Sequence, residues 1–393
     1  MDLDGLLARV IELGGSDMHL KVASPAMARV DGELVPIEER LLTDSDLETI
    51  VTLVTELTPA KREGFFTHGE LDTAYMAEGL GRFRVNGFRQ RGAISFAFRF
   101  IPKEIPNFDK LGLPEGVKML ADEHRGLVLV TGATGSGKST TLATMINSIN
   151  RSRKHHIVTI EDPIEFVHDD WGCIVNQREV GIDTDSYSEG LRRVLRQDPD
   201  VILLGELRDE ESAQAALRAA ESGHFVLSTM HTIDAAETIG RLVEFFPPGK
   251  HDMVRQVLAG VLRGVVSQRL LPKAGGGRVA AVEVMVNTAR IADLIREGRS
   301  DEITEAIEDG DFHKMQSFSQ HLVQLVLEGL VDEETAGNAA TNRHDFEIAV
   351  QQALRRKSAA EKAAVEAEPA QPREATEPEE GNEVRLRLAS PDR

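Results

Sequence analysis

The sequence predicts an α/β protein in two units: a small mixed N-terminal unit, then a larger one built on a parallel sheet. Three observations carry this. The first hundred residues hold a stretch in which arginines alternate with apolar residues, RFRVNGFRQRGAISFAFRF. The stretch 102–114, PKEIPNFDKLGLP, is rich in proline and follows neither the helical nor the strand period, as a linker does. Beyond it apolar runs alternate with helical patterns, which implies a parallel sheet covered on both faces.

In chain order, Leu3, Leu6, Leu7, Val10, Ile11 and Leu13 have the spacing of an amphipathic helix. Asp2 and Asp4 stand where a secretory signal would carry positive charge. A second helix is expected over 45–57, its start marked by the S-x-x-E spacing of Ser45 and Glu48. In the hairpin, Phe83 and Val85 of one arm and Ile94, Phe96, Phe98 and Phe100 of the other fall on one face, with the arginines on the opposite face. A turn centred on Arg91-Gly92 sets Arg84 across from Arg99. This unit is expected to span 1–100, with 101–114 as linker. From 115 the strand-like runs are GLVLVT, HHIVTI, VILLGE, HFVLST and RVAAVEVMV, and a helical region from 288 to about 356 closes the unit. The remainder, 357–393, is dominated by Ala, Glu and Pro and is expected to be disordered.

Composition narrows the function. At 393 residues, 41% apolar and 28% charged, the chain has the balance of a soluble globular protein with a sizeable core. Its net charge of −20 argues against a bulk electrostatic grip on nucleic acid. The single cysteine, Cys173, rules out an intrachain disulfide and a multi-cysteine zinc module, and fits a reducing cytoplasm. No apolar run reaches the roughly 18 to 20 residues that span a bilayer, so membrane association is expected to run through a partner.

The strongest motif is GATGSGKS at 132–139, a full G-x-x-x-x-G-K-[ST] match with an apolar strand before it and a helical pattern after it. Such a loop aims backbone N–H groups at phosphate oxygens at a positive helix end. Gly132, Thr134, Gly135, Ser136, Gly137, Lys138, Ser139 and Thr140 are therefore expected to hold ATP, with Lys138 on the β- and γ-phosphates and Ser139 on Mg²⁺. DPDVILLGE ends an apolar strand in Glu206, where such sites place an acid that directs Mg²⁺ or water, although any buried strand followed by Glu would match. In TIEDPIEF, Pro163 ends a strand and turns Glu161, Asp162 and Glu165 out at its carboxyl end, where α/β ligands bind. Acids so close repel one another unless cations lie nearby. His224 and His231 bracket a further strand; with no other Cys or His at ligand spacing, they read as hydrogen-bonding or sensing groups rather than a metal pair.

Taken together, these segments resemble the secretion ATPase superfamily, which drives type II secretion, type IV pili and related machines. The resemblance covers about 1–350 and includes GGSDMHL, RFRVNGF, the loop at 132–139, the acidic box TIEDPIEF, NQREVG, LRQDPDVILLGELRD and the histidine box GHFVLSTMHT, in that order. Within the superfamily the chain is most similar to the type IV pilus retraction ATPases, the PilT type. The four-cysteine zinc module usual in assembly and secretion ATPases cannot exist here. Where the retraction family carries AIRNLIRE, this chain reads RIADLIRE at 290–297.

The resemblance implies a PAS-like N-terminal domain, a RecA-like P-loop domain and a homohexameric ring, with ATP between one subunit's P-loop and its neighbour's N-terminal domain. It implies that Glu165 is the catalytic carboxylate, Glu206 the Walker B acid and Mg²⁺ ligand, His224 and His231 the histidine-box pair, and that Arg84 and Arg99 reach the phosphates. Implied partners are an inner-membrane pilus platform protein and a paralogous pilus ATPase, with the ring at the cytoplasmic face of the membrane. Two other readings remain open: a weakly hydrolysing accessory subunit, and an assembly, secretion or DNA-processing ATPase of the same superfamily.

Overall fold

The computed structural model describes residues 1–30, 32–101 and 104–367. The chain begins with α1 (Leu3–Glu12), started by the Asp2 carboxylate accepting from Gly5 N–H at 2.8 Å. Then come β1 (Asp17–Lys21), β2 (Met27–Val30), β3 (Glu33–Pro36), α2 (Asp44–Val54), α3 (Pro59–His68), β4 (Glu70–Ala77), β5 (Gly81–Gln90) and β6 (Ala93–Ile101). The strands form an antiparallel sheet in the order β3-β2-β1-β6-β5-β4. Phe83, Val85, Phe96 and Phe98 are buried with Leu7, Leu47 and Ile50 from the helices. The tight turn between β5 and β6 uses Arg91 and Gly92 at φ 52° and 84°, the left-handed pair that a two-residue hairpin demands.

The start of α2 differs from the expectation. Its capping box is formed by Thr43 and Asp46, not Ser45 and Glu48: Thr43 Oγ1 accepts from Asp46 N–H, and the Asp46 carboxylate accepts from Thr43 N–H and from Arg40. Both tetrads have a capping spacing, and the one whose acid is buried beside a cation sets the end.

Residues 104–114 include a single-turn helix, α4 (Phe108–Leu111), followed by α5 (Glu115–Ala121). The second sheet is built from β7 (Gly126–Thr131), β8 (His156–Glu161), β9 (Ile174–Glu179), β10 (Val201–Leu204), β11 (Phe225–Met230), β12 (Leu262–Pro272) and β13 (Arg278–Val286), ordered β13-β12-β7-β11-β10-β8-β9. The first six of these strands run parallel, and β13 returns antiparallel beside β12. So RVAAVEVMV is not a parallel strand, and β12 and β9 are strands the sequence patterns did not single out. Helices α6 (Lys138–Ser152), α7 (Tyr187–Val194), α8 (Glu210–Glu221), α9 (Ala235–Glu244) and α10 (His251–Val261) link the strands. Every residue of β7, β10 and β11 is buried, as a sheet covered on both faces requires.

A helical group closes the chain: α11 (Ala289–Glu297), α12 (Ile303–Glu308), α13 (Phe318–Leu327), α14 (Glu333–Ala339) and α15 (Arg343–Ala367). Phe346 and Val350 of α15 pack with Leu322 and Leu325 of α13 in a separate small core. Helix α15 runs past the boundary expected at 356, and Lys357 Nζ donates to Leu327 C=O at 2.9 Å, so 357–367 is helix rather than disordered tail. Residues 368–393 of that expected tail lie outside the described residues. No helix among the described residues is long and apolar enough to cross a membrane.

Candidate active site

The loop 132–137 joins the end of β7 to the start of α6 at the carboxyl edge of the second sheet. Gly132 has φ 137°, and a Cβ on it would lie 2.3 Å from Gln268 C=O and 2.6 Å from Ser136 Oγ. Only glycine allows β12 to approach the loop this closely. Gln268 is the contributor that sequence reasoning missed, because β12 was missed; its Nε2 donates to Thr141 Oγ1 at 2.8 Å beneath the first turn of α6. Gly135 and Gly137 take φ 82° and 95°, while Thr134 and Gly135 form the exposed tip, and Ser139 and Thr140 are half-buried at the helix start.

Lys138 is buried at the helix N-terminus. Its Nζ donates to Gly132 C=O at 2.7 Å and Ala133 C=O at 3.0 Å, two neutral partners. Burial pulls its pKa below the ordinary lysine value, against the pull of the Glu206 and Glu165 carboxylates. Those two acids and the P-loop lysine therefore share one site.

Glu165 reaches it from the excursion between β8 and β9. Its own N–H is directed at the Glu161 carboxylate, and its neighbours are pinned by β9. Ile164 N–H donates to Glu179 at 3.1 Å, and Phe166 C=O accepts from Gln177 at 2.7 Å. Glu161 accepts from Thr159 Oγ1 and Gln177 Nε2, and burial raises its pKa. Its work is to hold the loop. Glu206 follows β10 and is bridged on both oxygens, by Arg208 Nε at 2.9 Å and His231 Nε2 at 3.1 Å. Arg208, Gln177 and Glu179 are further members that single motifs did not assign; all lie in segments that the resemblance quoted without giving roles.

The two histidines separate. His231 follows β11, whose Met230 is paired with Thr131 at the mouth of the P-loop. His224 precedes the same six-residue strand and is paired by its Nδ1 with Ala219 C=O and Ser222 Oγ. A rise of about 3.3 Å per residue puts His224 some 20 Å from the P-loop, at the opposite sheet edge. Within this chain it joins neither Lys138, Glu165 nor Glu206, which corrects its grouping with them. Among the described residues no cluster of three or more Cys, His, Asp or Glu is placed to hold a metal.

Arg84 and Arg99 face one another across β5 and β6 on the exposed side of the first sheet. Arg99 pairs with Asp17 at 2.8 Å, and among the described residues Arg84 makes no salt bridge. Neither is bonded to the P-loop of its own chain.

The pieces fit a nucleoside triphosphate. Ser136 Oγ is buried without a partner in the loop, and Lys138 has neutral carbonyls where phosphate oxygens would serve it better. Ser139 and Glu206 offer hydroxyl and carboxylate oxygen, the donors that Mg²⁺ prefers.

Residues 3–276 match the family described as "Type II/IV secretion system protein". The chain belongs to this family. Within it the chain is of the PilT retraction type. It is 45% identical over 346 residues, 88% of this chain and 100% of the relative, to the type IV pilus retraction ATPase PilT of Pseudomonas aeruginosa. To the type IV pilus ATPase PilU of the same organism it is 40% identical over 352 residues, 89% of this chain and 91% of PilU. The crystal structure of the pilus retraction motor PilT with bound ADP superposes with a TM-score of 0.82 at 43% identity, covering 88% of this chain and 99% of that one. The Legionella pneumophila ATPase DotB gives a TM-score of 0.76 at 31% identity, over 85% and 93%.

Proposed function

We propose that this chain hydrolyses ATP in a homohexameric ring and retracts a type IV pilus. The observation that carries the reading is Lys138 buried at the P-loop within the field of the Glu206 and Glu165 carboxylates, in a family member 45% identical to a retraction ATPase. Backbone N–H groups of 132–138 and the Lys138 ammonium bind the phosphates. Glu165 takes a proton from water as that water attacks the γ-phosphorus, and the bond to the β-phosphate oxygen breaks to release ADP. His231 and Arg208 hold Glu206 in place. Ser139 and Glu206 would hold Mg²⁺, which would supply neutralisation of phosphate charge.

Arg84 and Arg99 complete the site of the neighbouring subunit. Their exposure on one polar face, with no bond to their own chain's P-loop, supports this. We assign 1–100 to this arginine-bearing, PAS-like domain, 101–114 to the linker, and 115 to the end of α15 at 367 to a RecA-like ATPase domain with its closing helices. The ring works at the cytoplasmic face of the inner membrane on a pilus platform protein, alongside a paralogous pilus ATPase. No direct membrane insertion and no nucleic-acid partner belong to this reading. Deleting the gene tests it: surplus pili that extend but do not retract are expected, and loss of pili altogether would reassign the chain to assembly. An accessory role is favoured by one observation, RIADLIRE at 290–297 in place of AIRNLIRE, and a purified chain that binds ATP without turnover would establish it.

A further inference from the structure

We infer that Arg82 and Glu179 are positioning residues for hydrolysis: a buried ion pair through which the docking of the N-terminal sheet sets the loop that carries Glu165. Among the described residues this pair is the only salt bridge between the first sheet and the second, running from β5 to the last residue of β9. Both groups are withdrawn from water, with the Arg82 side chain 15% exposed and that of Glu179 2%. An ion pair this deep holds only while both partners stay in place.

What makes it more than a domain contact is the second bond of Glu179. The same Oε2 that meets Arg82 accepts from Ile164 N–H at 3.1 Å, one residue before Glu165. On the other side of Glu165, Gln177 of the same strand donates to Phe166 C=O at 2.7 Å and accepts from His168 N–H at 2.8 Å. The loop is thus clamped to β9 on both flanks of Glu165, and one clamp is shared with the N-terminal sheet. The pair also has bonding capacity to spare: Arg82 Nε and Glu179 Oε1 are buried and lack partners. A small shift of one sheet against the other would let a guanidinium and a carboxylate engage through two bonds instead of one, moving Ile164 with them. Arg84 lies two residues from Arg82 on β5, and Arg99 is paired with Arg84 from β6. A single displacement of that sheet therefore moves the arginines that face the neighbour and the loop of the subunit's own site together.

The inference rests on reading Glu165 as the group that activates water, and the test separates the two. Full-length Arg82→Ala, Glu179→Gln, the double variant, Arg82→Lys and Glu165→Gln are compared for kcat, KM for ATP, affinity for a fluorescent ADP analogue, and hydrogen exchange over 162–168. The expected result is a fall in kcat of about tenfold or more in Arg82→Ala and in Glu179→Gln, with KM and affinity within about twofold, because the chemistry and not the phosphate cradle is disturbed. The double variant should be no slower than the slower single, and exchange over 162–168 should rise in Arg82→Ala. Arg82→Lys keeps the charge and should recover part of the loss. Wild-type kcat with wild-type exchange in Arg82→Ala would overturn the inference. So would a loss of turnover matched by loss of nucleotide binding and shared in full by Arg82→Lys, which marks a purely structural contact. If Glu165→Gln keeps wild-type turnover, the reading of Glu165 fails, and exchange over 162–168 still decides whether Arg82 holds the loop.

Discussion

Replacing Glu283 by glutamine should remove a pH-dependent cost built into the second sheet. Glu283 lies on β13, 4% exposed, and accepts from Ala235 N–H at 2.9 Å at the start of α9. Burial pushes its carboxyl up to about 7 from an ordinary 4.5. The Ala235 N–H pulls the other way, Asp234 adds to the rise, and Arg269 and the Phe318 N–H offset part of it. The folded state therefore holds a proton that the unfolded chain releases near pH 4.5. Stability from neutral Glu283 is fully present below that pH and is lost as pH rises to about 7. A shift of this size, at 1.36 kcal/mol per pKa unit, corresponds to about 3 kcal/mol. Glutamine mimics the protonated form and still presents an oxygen to Ala235 N–H. The difference in unfolding free energy, variant minus wild type, should rise by about 2.5 kcal/mol between pH 5 and pH 8, whatever constant offset the added NH₂ introduces. Urea unfolding across that range measures it. A difference that stays flat with pH would mean that Glu283 titrates alike in both states and that its burial carries no such cost.

Two further outcomes follow from the site. Gly132→Ala places a Cβ 2.3 Å from Gln268 C=O at φ 137°, so the P-loop must distort, and affinity for an ATP analogue should fall by about two orders of magnitude with the fold retained; unchanged affinity would refute it. Arg99→Ala should slow turnover by about 10³-fold or more while nucleotide still binds, and mixing it with Lys138→Ala subunits should restore activity above either parent, because some shared sites regain both groups. No recovery on mixing would place each site within one subunit.

The parts of the fold visible in the sequence were those set by local rules. The P-loop followed from its glycine spacing, and the meeting of Arg84 with Arg99 followed from a turn that places two residues at positive φ. The start of α2 was displaced because two overlapping tetrads have capping spacing, and burial of Asp46, not sequence, chose between them. Strand β12 was not visible because α10 passes into it without a turn residue, and its contribution, Gln268 beneath Gly132, is a tertiary contact. The histidines illustrate the converse. His224 and His231 belong to one motif, yet a six-residue strand separates them, so they occupy opposite edges of the sheet. The roles of Gln177 and Glu179 were likewise hidden, since what they hold is a loop whose path only the folded chain reveals.

Steady-state ATP hydrolysis by the purified chain and by Lys138→Ala decides whether Lys138 sits in a working ATP site. Removing a preorganised charge of this kind typically costs about 10²- to 10³-fold in rate. The wild-type protein should release phosphate in a Mg²⁺-dependent reaction, and Lys138→Ala should show a loss of at least that size. Turnover in the variant close to wild type would contradict it.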